Sequence, residues 1–209
     1  MAGNPPYLLI DVDGVLNPFP GPGGSVPPEY HPHRVDFRGH HEVPVWLNPH
    51  HGATVNALHS MGLVRPRWAT SWGAEANRLI APHVGMPHLP HIDLGALDIS
   101  TPHPRGYLWK RDPVADWLGD APVAWIDDDF APPDYDWAAE RTLRGAPTLL
   151  IQPDPYVGLR RHHIAAVRLW AISVTRDHDT FGNHHERPLA DPQDPVVAHA
   201  QRGPCSDRP

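Results

Sequence analysis

The segment Tyr7-Leu8-Leu9-Ile10-Asp11-Val12-Asp13-Gly14 constrains the fold more than any other. A short apolar run bounded by turn residues reads as a buried strand of a parallel sheet. It ends in two aspartates one residue apart. Side chains alternate along a strand, so positions i and i+2 face the same way and the two carboxylates converge at the strand end. Two such groups repel unless a cation or a bound proton offsets them. Oxygen ligands in small number suit Mg²⁺. Gly14 permits a sharp exit from the strand.

The theme recurs along the chain. Leu63 to Trp72 reads as a second strand ending in the hydroxyl pair Thr70-Ser71. Ala121 to Asp129 reads as a buried strand ending in three acids, and Thr148 to Ile151 as a late strand. Helical segments separate them: Pro49 to Met61, closed by Gly62, then Trp72 to Ile80, then one opening at Trp109-Lys110-Arg111-Asp112-Pro113, and finally Leu159 to Ile172. In the third of these, Asp112 fits an N-cap and Pro113 the first helical position. Such alternation predicts a doubly wound, Rossmann-like α/β fold of three layers, with ligands at the C-terminal ends of parallel strands. The stretch 18–47 interrupts it. Pro18 to Pro28 is too rich in Gly and Pro for regular structure. Tyr30 to Leu47 alternates enough to suggest a hairpin turning at Arg38-Gly39, placed as a flap or small cap after the first strand. The domain is expected over residues 1–176. The Pro-, His- and Asp-rich stretch 177–209 reads as a disordered tail.

Composition narrows the class. A net charge of −7 argues against broad nonspecific affinity for nucleic acid or anionic membranes, while leaving room for a local basic rim. The single cysteine, Cys205, excludes a disulfide framework. No segment has the length of a membrane span or the pattern of a signal peptide, so a cytoplasmic protein without a membrane partner is expected, and no obligate protein partner is evident.

One residue stands apart by its type. Lys110 is the only lysine, although the chain holds 17 Lys and Arg together. A compact ammonium fits among carboxylates and phosphate where a planar guanidinium does not. The 17 histidines include four adjacent pairs, yet none has a zinc-ligand spacing, and most read as surface residues. His31, His33, His40 and His41 would line the site only if the flap folds over it. Trp68, Trp72 and Trp125 read as core, with base stacking an alternative for Trp72. Asp134 and Asp136 follow Pro132-Pro133 and read as helix caps.

The strings Ile-Asp-Val-Asp-Gly-Val-Leu-Asn-Pro, Trp-Ala-Thr-Ser-Trp, the lone Lys110 and Ile-Asp-Asp-Asp, in that order, resemble the four motifs of the haloacid dehalogenase (HAD) superfamily over roughly residues 7 to 173. Within it, the first two strings are similar to the HAD domains of Swiss Army Knife RNA-repair proteins. The resemblance implies a Mg²⁺-dependent phosphatase. Asp11 would be the nucleophile that becomes an aspartyl-phosphate, and Asp13 the acid and then the base. Thr70 would be the hydroxyl on a phosphoryl oxygen, and Lys110 the charge-balancing cation. Ser71 and Gly14 would contact substrate. The metal set would be Asp11, Asp13 (in the Val12 to Asp13 carbonyl region), Asp127 and Asp128, with Asp129 a less favoured member of its triplet. The substrate would be a phosphorylated small molecule or a nucleic-acid end. A phosphotransferase shares these motifs, and a noncatalytic binding domain on the same fold is the rival of another class.

Overall fold

The computed structural model describes residues 4–95 and 103–182, with side chains to 176. Four short strands form its central sheet: β1 (Tyr7–Ile10), β4 (Arg65–Trp68), β5 (Val123–Ile126) and β6 (Thr148–Ile151). All pairings are parallel and the order is β4-β1-β5-β6. The strands end level: Ile10 is in register with Trp68 on one side and Ile126 on the other, and Ile126 with Ile151. The chain leaves β1 toward β4 on one side and later leaves β5 toward β6 on the other. Oppositely directed exits open a crevice above β1 and β5, where open parallel sheets bind ligands.

Both faces of the sheet are covered. Leu8, Ile10, Ala124 and Ile126 point to one face and pack against α1 (His51–Ser60), α2 (Glu75–Leu79), α3 (Ala81–Val84) and α6 (Arg161–Gly182) through Val55, Leu79, Val84 and Val167. Leu9, Val123 and Trp125 point to the other and pack against α4 (Arg111–Leu118) and α5 (Pro132–Leu143) through Val114, Leu118 and Trp137. Continuous apolar runs in β1 and β5 follow from this double coverage.

The insertion forms an antiparallel hairpin, β2 (His31–Phe37) and β3 (His40–Leu47). Arg38 and Gly39 turn with φ of 49° and 80°, the left-handed pair that a two-residue hairpin turn requires. Residues 18–30 form no strand or helix, as their Gly and Pro content predicts. The base of the hairpin is not a loose flap: Val35, Val45 and Leu47 are buried in the same core as Leu8 and Ile10.

Among the boundaries that differ from expectation, α2 begins at Glu75 and not at Trp72. The α4 N-cap is Lys110 and not Asp112. The Val114 N–H already reaches the Lys110 carbonyl, so the helix begins two residues earlier, and Asp112 accepts the Tyr107 hydroxyl at 2.7 Å instead. Helix α6 continues past Ile172 to Gly182, into the stretch read as a tail; 183–209 lie outside the described residues. Among the described residues no helix is long and apolar enough to cross a membrane.

Candidate functional site

The strand ends bring one cluster together. Asp11 follows β1 directly, its N–H still bonded to the Ile126 carbonyl across the sheet. Asp127 follows β5, its N–H bonded to the Ile151 carbonyl. Each ladder therefore runs one residue beyond the strand and fixes the backbone of an acid. Lys110 enters from the N-cap of α4. Its Nζ donates to Asp11 Oδ2 and, at 2.7 Å, to Asp127 Oδ2. A cation at a helix N-terminus opposes the helix dipole. The two carboxylates offset that cost, in a setting where the Lys110, Asp11 and Asp127 side chains are 5%, 7% and 0% exposed.

Asp128 completes the group. One oxygen each from Asp11, Asp127 and Asp128 lie within 4.8 Å of one another, a donor set that can hold a metal ion. Three carboxylates against one ammonium leave two negative charges uncompensated, which matches a divalent cation. Burial and the crowding of like charges both act on the protonation of these groups. Burial raises Asp127, with the Asp11 and Asp128 charges adding to it and Lys110 opposing. Burial and then Asp11 push Asp128 up to about 6. Burial alone would lower Lys110, but the adjoining Asp11 and Asp127 carboxylates outweigh it and raise it. The neighbouring carboxylates favour the ammonium form of Lys110, and burial favours the protonated forms of Asp127 and Asp128.

Gly14 has a role the sequence only half reveals. Its φ of +69° suits glycine, and a Cβ there would lie 2.1 Å from Asp128 Cγ. The exit from β1 is bare because Asp128 packs onto it. The Val12 carbonyl accepts the N–H groups of Val15, Leu16 and Asn17, so it is turned into the exit turn.

Asp13 stands beside the cluster but outside the carboxylate trio. Its Oδ1 accepts Asn17 Nδ2 at 2.9 Å and its Oδ2 accepts Trp72 Nε1 at 2.8 Å. Burial, then the Asp11 charge, raises its pKa. Thr70 is buried just past β4, and its Oγ1 faces the Trp72 N–H at 3.4 Å. Thr70 and Ser71 line a cleft of about 130 Å³ with Arg38, His91, Asp93 and Trp109. The hairpin tip closes one side: Arg38 donates to the Ser71 carbonyl at 2.7 Å. A larger cavity of about 460 Å³ opens between the starts of α1 and α6; none of the clustered acids lines either space.

Several residues build the site in roles that the sequence reading did not assign to them. Trp72 is 4% exposed and belongs to the core, as expected, and its indole N–H in addition donates to Asp13. Asn17 bridges Asp13 to the hairpin. Asp134, read as a cap, does bond the Ala131 N–H at 2.9 Å, and the same Oδ2 also accepts the Leu108 N–H at 3.0 Å, which steadies the turn carrying Lys110. Asp129 lies outside the trio; its own N–H donates to Asp127 Oδ1 at 3.3 Å. His31, His40 and His41 are exposed on the hairpin, and His33 packs on His83. No known family model matches the chain, and no curated protein matches it significantly.

Proposed function

We propose that the chain is a Mg²⁺-dependent phosphate-monoester hydrolase of the HAD type. The observation that carries this reading is one buried ammonium shared by Asp11 and Asp127, with Asp128 adjoining, at the crevice of a parallel sheet. A structural ion pair needs one carboxylate, and a third brings only repulsion unless a cation or an incoming group changes the balance.

In the proposed reaction an Asp11 oxygen attacks phosphorus and the P–O ester bond breaks. Asp13 gives its proton to the departing oxygen, which leaves as an alcohol. Water then attacks the aspartyl-phosphate, its proton passes to the Asp13 carboxylate, and phosphate departs from a restored Asp11. Lys110 holds the Asp11 carboxylate in place and offsets charge beside it. Thr70 would donate to a phosphoryl oxygen. Asp11, Asp127 and Asp128 would hold the Mg²⁺, which when bound neutralises phosphoryl charge. Ser71 lines the same cleft, and Gly14 serves by leaving room for Asp128. The substrate proposed is a phosphorylated small molecule or a nucleic-acid end, as the sequence resemblance implies.

The test is a hydrolysis screen with Mg²⁺ over sugar phosphates, nucleotides and 3′- or 5′-phosphorylated oligonucleotides, following phosphate release. Turnover of at least one class, abolished by EDTA and restored by Mg²⁺, is expected. No phosphate release from any class, or full activity in verified metal-free protein, contradicts the reading.

A further inference from the structure

The hydrogen bonds of Asp13 lead away from the cluster and into the hairpin. Asn17, which donates to Oδ1, accepts the Trp46 backbone N–H of β3 on its own Oδ1 at 2.8 Å. That N–H can only donate, so it forces the amide oxygen toward β3 and leaves the NH₂ for Asp13. Trp72, which donates to Oδ2, lies with its ring stacked on Phe37 at the end of β2, centroids 4.1 Å apart and planes 22° apart. Both donors are therefore aligned by the insertion, one through its backbone and one through an aromatic ring. Arg38, next to Phe37, ties the hairpin tip to the residue before Trp72. Asp11 and Asp127 are held differently, by Lys110 and the sheet ladders.

We propose that Trp72 and Asn17 are positioning residues through which the docked hairpin aims Asp13 at the leaving-group oxygen. The inference rests on the reading of Asp13 as proton donor. When the ester bond breaks, the Asp13 proton moves to the ester oxygen and a carboxylate remains. Two N–H donors stabilise that carboxylate and fix its direction. Such an arrangement matters for substrates whose leaving group is a poor one. An alkoxide from a sugar or nucleoside hydroxyl must be protonated as it departs, whereas a nitrophenolate leaves without help. The site is thus built for alkyl phosphate monoesters, and the acid step is complete only with the hairpin in place.

The experiment compares kcat/KM for glycerol 2-phosphate and p-nitrophenyl phosphate in wild type, Trp72→Phe and Phe37→Ala, with Mg²⁺ present. Trp72→Phe keeps an aromatic ring against Phe37 and removes the donor. It is expected to lower the alkyl-to-aryl ratio by about tenfold or more, a fraction of the 10²–10⁴ that a well-placed general acid supplies. Phe37→Ala leaves every hydrogen-bonding group of the site intact, lies on the half-buried edge of the hairpin, and is expected to lower the ratio in the same sense by less. It also carries the test if Trp72→Phe does not fold. A ratio that stays put while both substrates slow together marks a merely structural role and overturns the inference, leaving the hydrolase reading intact. Wild-type protein that hydrolyses neither substrate nor any other phosphate monoester overturns both.

Discussion

The acid cluster and the hairpin sit on the same strand exit but are held by opposite means. Asp11, Asp127 and Lys110 are buried, joined to one another, and anchored by backbone bonds that extend the sheet. The hairpin exposes most of its residues from His31 to Glu42 and joins the site through an Asn17 bridge, a ring stack and one arginine. Fixed geometry and adjustable geometry meet at Asp13. On the proposed reading, the nucleophile and metal set take the rigidity of neighbouring strands, whereas the acid is positioned by an accessory element.

The sharpest way to break this contrast is within the cluster. Asp11→Asn keeps the shape of the side chain and is expected to cost at least about 10³ in turnover, roughly 4 kcal/mol of barrier, while the far-ultraviolet circular dichroism is retained. Near-wild-type hydrolysis by that variant would remove the covalent route. Lys110→Met leaves buried Asp127 without its cation, a loss of about 3–5 kcal/mol. Denaturant unfolding of the metal-free protein should show the loss, and added Mg²⁺ should recover part of it. Equal stability of the two proteins would mean that the pair contributes little.

A subtler change tests the floor of the cluster. Gly14→Ala introduces a Cβ where Asp128 now lies, at a backbone angle that resists it. Mg²⁺ affinity is expected to fall about tenfold, corresponding to about 1.4 kcal/mol. Calorimetric titration gives the answer, and unaltered affinity would take Asp128 out of the metal set.

The smallest effects concern the hairpin and pH. Replacing Asp36 to Glu42 with Asn-Gly keeps Val35 and Val45 in the core but deletes Phe37 and Arg38. Mg²⁺ binding should survive, since none of the clustered acids lies in the hairpin, while discrimination among substrates narrows. Equal narrowing and loss of metal affinity would mean that the two regions are not separable. In metal-free protein, Asp127 and Asp128 bind protons more readily folded than unfolded. Raised folded values stabilise below the ordinary carboxyl range, and that stability is lost as pH rises, for Asp128 through about 6. The melting temperature of the metal-free protein should thus decline from pH 4 toward neutrality by an amount that Mg²⁺ reduces. A flat profile would show that the excess negative charge is not felt.

The legible parts of the molecule were those governed by local rules. Apolar runs with abrupt acidic ends gave β1 and β5, the Arg38-Gly39 turn gave the hairpin, and the chemistry of a solitary lysine pointed to Lys110. The illegible parts depend on partners far along the chain. An indole reads as packing until its N–H meets Asp13, 59 positions away. Asp134 reads as a local cap, and only the fold brings it to Leu108, 26 positions away. The start of α4 was misjudged because Asp112 and Pro113 satisfy the local rules for a cap, while the tertiary placement of Lys110 sets the earlier start.

Lys110 also makes this protein its own reporter. Apart from the chain's α-amino group, it is the sole primary amine, and in the folded state it is buried and held as an ammonium that acylating reagents cannot attack. The chain unfolds to expose a single reactive amine. Labelling by an amine-directed ester therefore counts openings of the cluster one molecule at a time. Its rate, followed by mass spectrometry across metal or phosphate concentrations, turns occupancy of the site into a mass shift at a known position.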